Sequence, residues 1–192
     1  MIAVIGAGPM GLATARALQA QGLSFTVFEA HDDVGGLWDI RNPASTVYES
    51  AHLISSKRMT EFMEFPMRDA VAPYPRHDEV QRYFGEFAEH FDLRERIEFR
   101  TRVVRMVRAD GGWAVTTVCD GAERTRQMAA VCIATGTLHH RHQPALPGSF
   151  TGTLLHSADY KSPTVFAGRR VLIIGCGNSG ADIAVDAVRY AA

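Results

Sequence analysis

The sequence predicts an α/β fold with a parallel sheet, on three observations. A short apolar run, Ile2–Ile5, leads into a glycine-rich turn and then an alanine- and leucine-rich helix pattern. A second apolar run, Phe25–Phe28, follows that helix. A second strand, glycine turn and helix pattern begins near residue 169. Strands that alternate with helices in this way are typical of parallel sheets covered by helices.

The composition is that of a globular protein with a sizeable core: 192 residues, 46% hydrophobic and 21% charged. The net charge of -1 gives no general attraction to nucleic acid or to an anionic membrane. No apolar run reaches the length of a membrane span, and the N-terminus shows no signal-peptide pattern. The three cysteines are far apart and odd in number. We therefore expect a cytoplasmic protein with reduced thiols, without nucleic-acid or membrane partners.

Residues 6–11 read GAGPMG, a G-x-G-x-x-G pattern between a strand and a helix. Gly6 permits a tight turn, Gly8 lets the backbone approach a pyrophosphate, and Gly11 lets the helix pack close to the strand. The phosphates would lie at the positive N-terminus of the helix, and Glu29 can bind ribose hydroxyls. The pattern predicts a Rossmann-like dinucleotide site. Its predicted binding residues are Gly6, Gly8, Pro9, Gly11 and Glu29.

A Gly-Gly-x-Trp stretch follows at residues 35–38. An acid-ended strand followed by this stretch resembles flavoproteins with two dinucleotide-binding domains, in which the loop lies along the FAD. Plain NAD dehydrogenases lack it. The alternative is a glycine turn with Trp38 as a core aromatic residue. The candidate cofactor-binding residues here are Gly36, Leu37 and Trp38.

The middle of the chain, about residues 40–130, reads as an insertion into the first domain. Apolar residues at helical spacing predict an amphipathic helix over 78–91. Three strand-like runs follow, and Asp110-Gly111-Gly112 predicts a hairpin turn between the first two. The runs cover residues 97–107, 113–118 and 124–134.

The third run ends in Ala134, Thr135 and Gly136. This tripeptide resembles the strand end at which the same flavoproteins return to the FAD sheet beside the pyrophosphate. All three residues, and Val103 in the first run, are candidates for cofactor binding. The alternative for the tripeptide is an ordinary buried strand ending at a glycine. The histidine-rich stretch at 139–148 lacks a carboxylate or cysteine cluster, so it indicates a solvated linker and not a metal site.

Residues 150–161 read FTGTLLHSADYK. This matches F-x-G-x-x-x-H-x-x-x-Y-[KR], the identifying sequence of the flavin-containing monooxygenase family, which the chain resembles over essentially its whole length. Baeyer–Villiger monooxygenases are similar but carry Trp where this chain has Tyr160. The segment is placed to join two domains. We expect His156 and Tyr160 to brace that joint, and Tyr160 is also a cofactor-binding candidate.

A second fingerprint follows, with a predicted buried strand at 169–174 and GCGNSG at 175–180 opening a helix. The family resemblance implies that it binds NADPH. Only 12 residues follow Gly180, so the strand whose end would choose between a ribose hydroxyl and a 2′-phosphate is not in the sequence. The candidate binding residues are Gly175, Gly177, Asn178, Ser179 and Gly180.

These motifs divide the chain into three expected parts: an FAD-binding domain at 1–148, a linker at 149–168 and an incomplete NADP-binding domain at 169–192. The resemblance implies a monooxygenase in which NADPH reduces FAD. Reduced flavin captures O₂ as a C4a-hydroperoxide, and a small-molecule nucleophile, an amine nitrogen or a sulfur, takes one oxygen atom. The resemblance is also compatible with a homodimer of a full-length protein.

One position departs from the family pattern. The family commonly carries Asn-x-Ser-Lys before a Phe-Pro pair, and residues 53–57 of this chain read LISSK, so that Ile54 stands in place of the Asn. Ser55 and Ser56 are candidates for the missing hydrogen bond near the flavin ring. They are equally well explained as surface turn serines before a helix.

Three alternatives stay open on sequence. A disulfide reductase would need a redox cysteine pair soon after the Gly-Gly-x-Trp stretch, where there is no cysteine. A Baeyer–Villiger enzyme is closer and differs at Tyr160. The third is a truncated, non-catalytic FAD-binding module, whose last strand and helix would expose apolar surface.

Overall fold

The computed structural model describes residues 1–192 and contains two β-sheets with helices packed on them. The strands are β1 (Ile2–Ile5), β2 (Phe25–Phe28), β3 (Ile97–Glu98), β4 (Thr101–Ala109), β5 (Gly112–Cys119), β6 (Ala122–Met128) and β7 (Ala130–Ile133). The α-helices are α1 (Pro9–Ala20), α2 (Lys57–Thr60), α3 (His77–His90) and α4 (Asn178–Tyr190). Single-turn 3₁₀ helices cover Gly36–Trp38, Leu93–Arg96, Ser157–Asp159 and Pro163–Phe166. None of the helices has the length and apolar character that crossing a bilayer requires.

Four strands form a parallel sheet in the order β3-β2-β1-β7. β1 lies between two neighbours, with Ile5 opposite Phe28 on one side and Ile133 on the other. The predicted first two strands and the helix between them are confirmed. Because the strands are parallel, their carboxyl ends meet at one edge of the sheet. The residues that follow these ends are Gly6, Glu29 and Ala134.

The largest core cluster packs α1 and α3 against the parallel sheet. Leu12 of α1 and Val4 of β1 are fully buried in it. α3 contributes Val80, Phe84 and Phe87, which lie on one face because they are three or four residues apart. Full burial of one such side chain stabilises the fold by roughly 1.5–3 kcal/mol. The amphipathic helix predicted over 78–91 is therefore confirmed, one residue earlier at each end.

A separate antiparallel sheet has the strand order β4-β5-β6. The predicted hairpin turn is confirmed between β4 and β5, where Gly111 has a φ of +76° and Gly112 pairs with Ala109. The pairing shifts by one residue between Val103 and Arg105, as at a β-bulge. This sheet is the small β insertion that the sequence predicts.

The two sheets are joined by Arg126 of β6. Its guanidinium donates to both carboxylate oxygens of Glu98 in β3, at 2.6 and 2.7 Å, and lies 4.4 Å from the ring centroid of Phe28 in β2. A bidentate pair of this kind fixes direction as well as distance. Val115 of β5 and Met128 of β6 pack with Phe28 in a shared apolar cluster. The antiparallel sheet is therefore held against the parallel sheet by apolar packing and by an ion pair.

Two of the predicted strand runs are each split into two strands. The run at 97–107 divides into β3 and β4, because Arg100 takes a φ of +53°, which is incompatible with extended backbone. The run at 124–134 bends at Ala129, whose N–H bonds to the carbonyl of Met1. In both cases the chain crosses from one sheet to the other at the break.

The prediction of a buried strand at residues 169–174 is wrong. The segment forms no strand, and Leu172 is 84% exposed. A strand needs a neighbour for its backbone hydrogen bonds, and no other strand of the described chain pairs with this segment. The helix predicted after it does form, as α4, and the histidine-rich stretch at 139–148 is an exposed loop.

Candidate cofactor-binding site

Three glycine-containing segments converge at the carboxyl edge of the parallel sheet. Gly6 has a φ of +101°, and a Cβ atom there would lie 2.5 Å from the carbonyl oxygen of Ala134. A Cβ on Gly11 would lie 1.8 Å from the carbonyl oxygen of Gly6. Only glycine fits at either position, because real Cβ atoms do not approach so closely. The structure thus places the predicted turn directly against the end of β7.

The Gly-Gly-Leu-Trp loop packs on this turn from the other side. The N–H of Gly35 donates to the carbonyl of Ala7 at 3.1 Å. Gly36 has a φ of +60°, and a Cβ there would lie 3.0 Å from the Cα of Gly8. Trp38 packs against two apolar clusters, while Leu37 stays partly exposed. The structure therefore brings the two glycine motifs into contact although more than twenty residues separate them.

Glu29 lies beneath the turn with its carboxylate held in place. Its Oε2 accepts a 2.6 Å hydrogen bond from the N–H of Ala7, and its Oε1 accepts a 2.8 Å bond from the N–H of His31. The residue is only 7% exposed. An acidic side chain therefore lies at the end of β2, the position from which a Rossmann-like fold binds ribose hydroxyls.

The N-terminus of α1 is open to a ligand. Its N-cap is Gly8, and no side chain caps the helix. The first amide N–H groups of a helix have no partner within the helix, and its dipole favours anions there. Together with the glycine-lined surface around them, these amides fit the diphosphate of a dinucleotide such as FAD.

A charge network fixes the loop between Glu29 and the Gly-Gly-Leu-Trp segment. Asp39 is almost fully buried and accepts hydrogen bonds from Arg41 and His31. Burial alone would raise the pKa of Asp39, but the hydrogen bonds from Arg41 and His31 outweigh it and the pKa lies below its ordinary value. Asp33 accepts a 2.8 Å bond from Arg94, which ties the loop to the region after α3. The sequence analysis did not identify this network.

The segment that departs from the family pattern lies on the surface. The side chain of Ile54 is 68% exposed, and Ser55 Oγ lies 2.8 Å from Thr60 Oγ1. Ser56 immediately precedes α2 as its N-cap residue. Lys57, by contrast, is buried, and its Nζ donates to the carbonyls of Arg68, Asp69 and Val71.

The other first-site candidates lie around the same edge. Ala134 continues β7, and its N–H donates to the carbonyl of Ile5. Thr135 is exposed, and Gly136 has a φ of +82°. Val103 lies in β4, two residues after Thr101, whose N–H donates to the carbonyl of Glu29. A cofactor contact by any of these residues stays a prediction.

The second glycine loop repeats the local geometry of the first. Gly175 has a φ of +116°, and a Cβ on Gly180 would lie 2.6 Å from the carbonyl oxygen of Gly175. The N-cap residues match closely: φ and ψ are −73° and −179° at Gly177, against −72° and −175° at Gly8. α4 begins at Asn178 and Ser179, and no side chain caps it. This loop can therefore offer amides to a second diphosphate.

Tyr160 of the family motif lies between these two parts of the chain. It is 1% exposed, and its hydroxyl donates to Oδ2 of Asp186 in α4 at 2.7 Å. The next residue, Lys161, donates from Nζ to the carbonyls of Ser45 and Val47 at 2.7 and 2.9 Å. His156 Nδ1 accepts from the N–H of Ala158, within its own turn. Because the Tyr160 side chain is enclosed, only the backbone of this residue could contact a cofactor.

The sequence analysis missed the partners of Tyr160. Asp182 and Asp186 of α4, and Tyr48 and Ser50 of the first domain, all take part in the contact. The available signal was the pair of aspartates four residues apart, next to Ile183 and Ala187, which are buried. Acids bordering the apolar face of a helix indicate a polar contact across that face.

Comparisons with known proteins agree with this geometry. Human dimethylaniline monooxygenase [N-oxide-forming] 4 is 38% identical over 204 residues, which cover all of this chain and 37% of the human protein. The structure of S-allyl-L-cysteine S-oxygenase from Allium sativum matches with a TM-score of 0.91 at 28% identity, over 99% of this chain and 49% of that one. A flavin-containing monooxygenase from Stenotrophomonas maltophilia matches with a TM-score of 0.85 at 34% identity, over 99% of this chain and 55% of that one.

The chain thus spans little more than a third of the human relative and about half of each solved structure. A family model described as flavin-binding monooxygenase-like matches residues 1–192, the whole of this sequence. The chain therefore belongs to the flavin-binding monooxygenase-like family.

Proposed function

We propose that this chain is the FAD-binding part, with the start of the NADPH-binding part, of a monooxygenase. The reaction transfers one oxygen atom of O₂ to a small soft nucleophile, an amine nitrogen or a sulfur. The observation that carries the proposal is the convergence of Gly6, Gly11 and Gly36 around the open N-terminus of α1. That surface suits a diphosphate.

Each of the two glycine loops is proposed to bind one cofactor. The first loop, with Glu29 below it, would bind FAD, and the loop at Gly175–Gly180 would bind NADPH through its own helix N-terminus. The bound flavin would supply both the acceptance of a hydride from NADPH and the activation of O₂. The chain's own contribution is to hold the two dinucleotides by their phosphates and to orient them towards each other.

The substrate class is inferred from the relatives. One matched protein is named for N-oxide formation and another as an S-oxygenase. Tyr160 stands where Baeyer–Villiger enzymes carry Trp, which favours a nitrogen or sulfur substrate over a ketone. The proposed binding residues in the two loops are the ones named above, and no catalytic residue is assigned beyond the candidates Ser55 and Ser56. We also propose a cytoplasmic location.

An anaerobic titration tests the proposal. The purified chain is reconstituted with FAD, and the flavin absorbance is followed as NADPH is added, with NADH in a parallel titration. We expect stoichiometric flavin binding and bleaching by NADPH. Bound flavin that NADPH does not bleach would contradict the second site, and a chain that binds no flavin would contradict the first.

Oxygen transfer is tested next, after air is admitted to the reduced chain. A tertiary amine, a thioether and a cyclic ketone are offered separately, and the products are identified by mass spectrometry. We expect the N-oxide and the sulfoxide. A lactone from the ketone as the main product would instead support the Baeyer–Villiger reaction.

A further inference from the structure

α4 is attached to the rest of the chain by four polar side chains, which we call the tyrosine–aspartate clamp: Tyr48, Tyr160 and Asp186, which are buried, and Asp182, which is half-buried. Asp186 is 4% exposed, and its Oδ2 accepts hydrogen bonds from the hydroxyls of Tyr160 and Ser50. One helical turn earlier, Oδ2 of Asp182 accepts a 2.8 Å hydrogen bond from the hydroxyl of Tyr48. Two tyrosines from outside the helix therefore meet two aspartates on one side of it.

Apolar contacts surround these hydrogen bonds. Ile183 and Ala187 are both buried against the same residues. The Tyr160 ring stacks on Phe166, with centroids 5.3 Å apart and an interplanar angle of 12°, and its centroid also lies 5.3 Å from that of Tyr48. Apolar packing alone tolerates small sliding movements of a helix. Two directed hydrogen bonds one turn apart fix both its rotation and its translation.

The clamp is a poor arrangement if its only role is to stabilise the fold. The hydrogen-bond partners of both carboxylates are neutral hydroxyls, and neither aspartate forms an ion pair. A buried carboxylate without a cation carries a desolvation penalty that an apolar residue would avoid. Burial, followed by the adjacent carboxylates, raises the pKa of Tyr48 and Tyr160 far above the ordinary value, so both hydroxyls keep the proton that they donate.

The clamp supplies directed polar contacts between α4 and the rest of the chain. The segment before the helix, residues 169–176, joins no sheet, so no strand anchors the second glycine loop. α4 also contacts the Pro163–Phe166 and Ser157–Asp159 turns, and its cluster includes the segment around Tyr48 and Ile173. Movement of the clamp would therefore move the loop at Gly175–Gly180 relative to the first loop.

We propose that Asp182 and Asp186 are positioning residues, which set the register of α4 through Tyr48 and Tyr160 and so place the second glycine loop relative to the first site. The inference rests on the proposed function, in which the two loops hold a hydride donor and its acceptor. Loss of the clamp should slow the transfer between the cofactors while FAD binding to the first loop stays intact. A misplacement of about 1 Å can lower a rate on the order of 10²-fold.

The test compares four variants of the full chain. Tyr160→Phe removes one hydroxyl donor, and Asp186→Leu removes the acceptor but keeps an apolar side chain of similar size. Asp186→Asn retains one acceptor oxygen and serves as the conservative rescue. Val185→Ala, an exposed position on the same helix, is the matched control.

Two measurements are made on each variant. The first is the FAD dissociation constant together with the anaerobic rate of flavin reduction by NADPH. We expect the FAD dissociation constant to be unchanged in all variants. Flavin reduction should be slower on the order of 10²-fold in Tyr160→Phe and Asp186→Leu. The rate should be mostly recovered in Asp186→Asn and equal to wild type in Val185→Ala. The second is amide hydrogen exchange without cofactors, in which the two clamp variants should expose α4 while β1 and α1 stay protected.

The outcomes separate the two proposals. Unchanged reduction in the clamp variants, or a parallel loss of FAD binding, would overturn the positioning role. If the wild-type chain binds FAD that NADPH cannot reduce, the proposed NADPH function fails. Amide hydrogen exchange alone then tests whether the clamp holds α4 in place. If α4 is as well protected from exchange in both clamp variants as in wild type, the positioning role of the clamp is rejected.

Discussion

The backbone N–H of Ala7 donates a 2.6 Å hydrogen bond to Oε2 of Glu29, 22 residues further along the chain. The bond joins the glycine turn after β1 to the end of β2, so the acid and the turn cannot move independently. The second oxygen of the same carboxylate holds the N–H of His31. Glu29 thus shapes the turn through contacts within the protein alone.

Replacement of Glu29 tests this double role. In Glu29→Ala the N–H groups of Ala7 and His31 lose their acceptor, which should lower the free energy of unfolding by about 1–3 kcal/mol. FAD affinity should fall as well. Glu29→Gln keeps one acceptor oxygen and should lie between the two. Urea unfolding and flavin titration measure the two effects, and a Glu29→Ala chain as stable as wild type would contradict the structural role.

Gly11→Ala should disrupt the turn. The new Cβ would lie 1.8 Å from the carbonyl oxygen of Gly6, so the helix must move away from the strand. We expect a loss of at least the roughly 1–3 kcal/mol typical of overpacking, and loss of FAD binding. The control is Gly85→Ala in α3, where a Cβ would lie 3.9 Å from the Arg94 side chain, an ordinary contact distance. That change should stabilise the helix by about 0.5–1 kcal/mol, since alanine favours helix more than glycine. Equal melting temperatures for the two variants would refute the steric argument.

The Glu98–Arg126 pair predicts how stability depends on pH. Hydrogen bonds from Arg126 hold the pKa of Glu98 below its ordinary value of 4.5, against the opposing effect of burial. Because the pKa is lower in the folded state, the pair stabilises the fold fully above pH 4.5 and loses this contribution as the pH falls through the folded value. In Glu98→Gln the fall in stability below pH 4.5 should therefore be shallower than in wild type.

Urea unfolding at several acidic pH values measures that slope. Glu123→Gln in β6 is the control, because Glu123 is exposed and forms no ion pair in the structure. Its slope should match wild type. Identical slopes for wild type and Glu98→Gln would show that the pair does not couple protonation to folding.

Lys57 is predicted to be structural. Its ammonium group satisfies three backbone carbonyls of the 68–71 loop, and Lys57→Met would leave them without that donor. We expect the free energy of unfolding to fall by about 1–3 kcal/mol. The exposed change Met59→Ala in the same helix should stay within about 0.5 kcal/mol of wild type. Chemical denaturation compares the two, and a similar small effect in both would contradict this assignment.

Much of the first domain could be predicted from the sequence because its signals are local. Strand β1, the glycine turn and helix α1 follow directly from apolar runs, glycine spacing and helix propensity. The breaks in the later strands could not be predicted in this way. The left-handed backbone of Arg100 and the bend at Ala129 exist because the chain changes sheet there, and sheet membership depends on distant partners.

The glycines that meet at the carboxyl edge of the sheet, and Glu29 beside them, could be predicted because they obey spacing rules, whereas the polar side chains that support them could not. Asp39 and Asp186 are ordinary acids in sequence, and only the fold shows that both are buried. The strand predicted at residues 169–174 was wrong for a related reason. Apolar composition favours a strand, but a strand forms only where a neighbour accepts its hydrogen bonds.

The two glycine loops also show how little their shape depends on the sheet. The second loop has the backbone shape of the first, although the segment before it pairs with no strand. Helices form from neighbouring residues within about a microsecond, whereas parallel strands must find partners that are remote in sequence. The backbone shape of such a turn therefore arises from neighbouring residues and does not require that the segment before it be paired in a sheet.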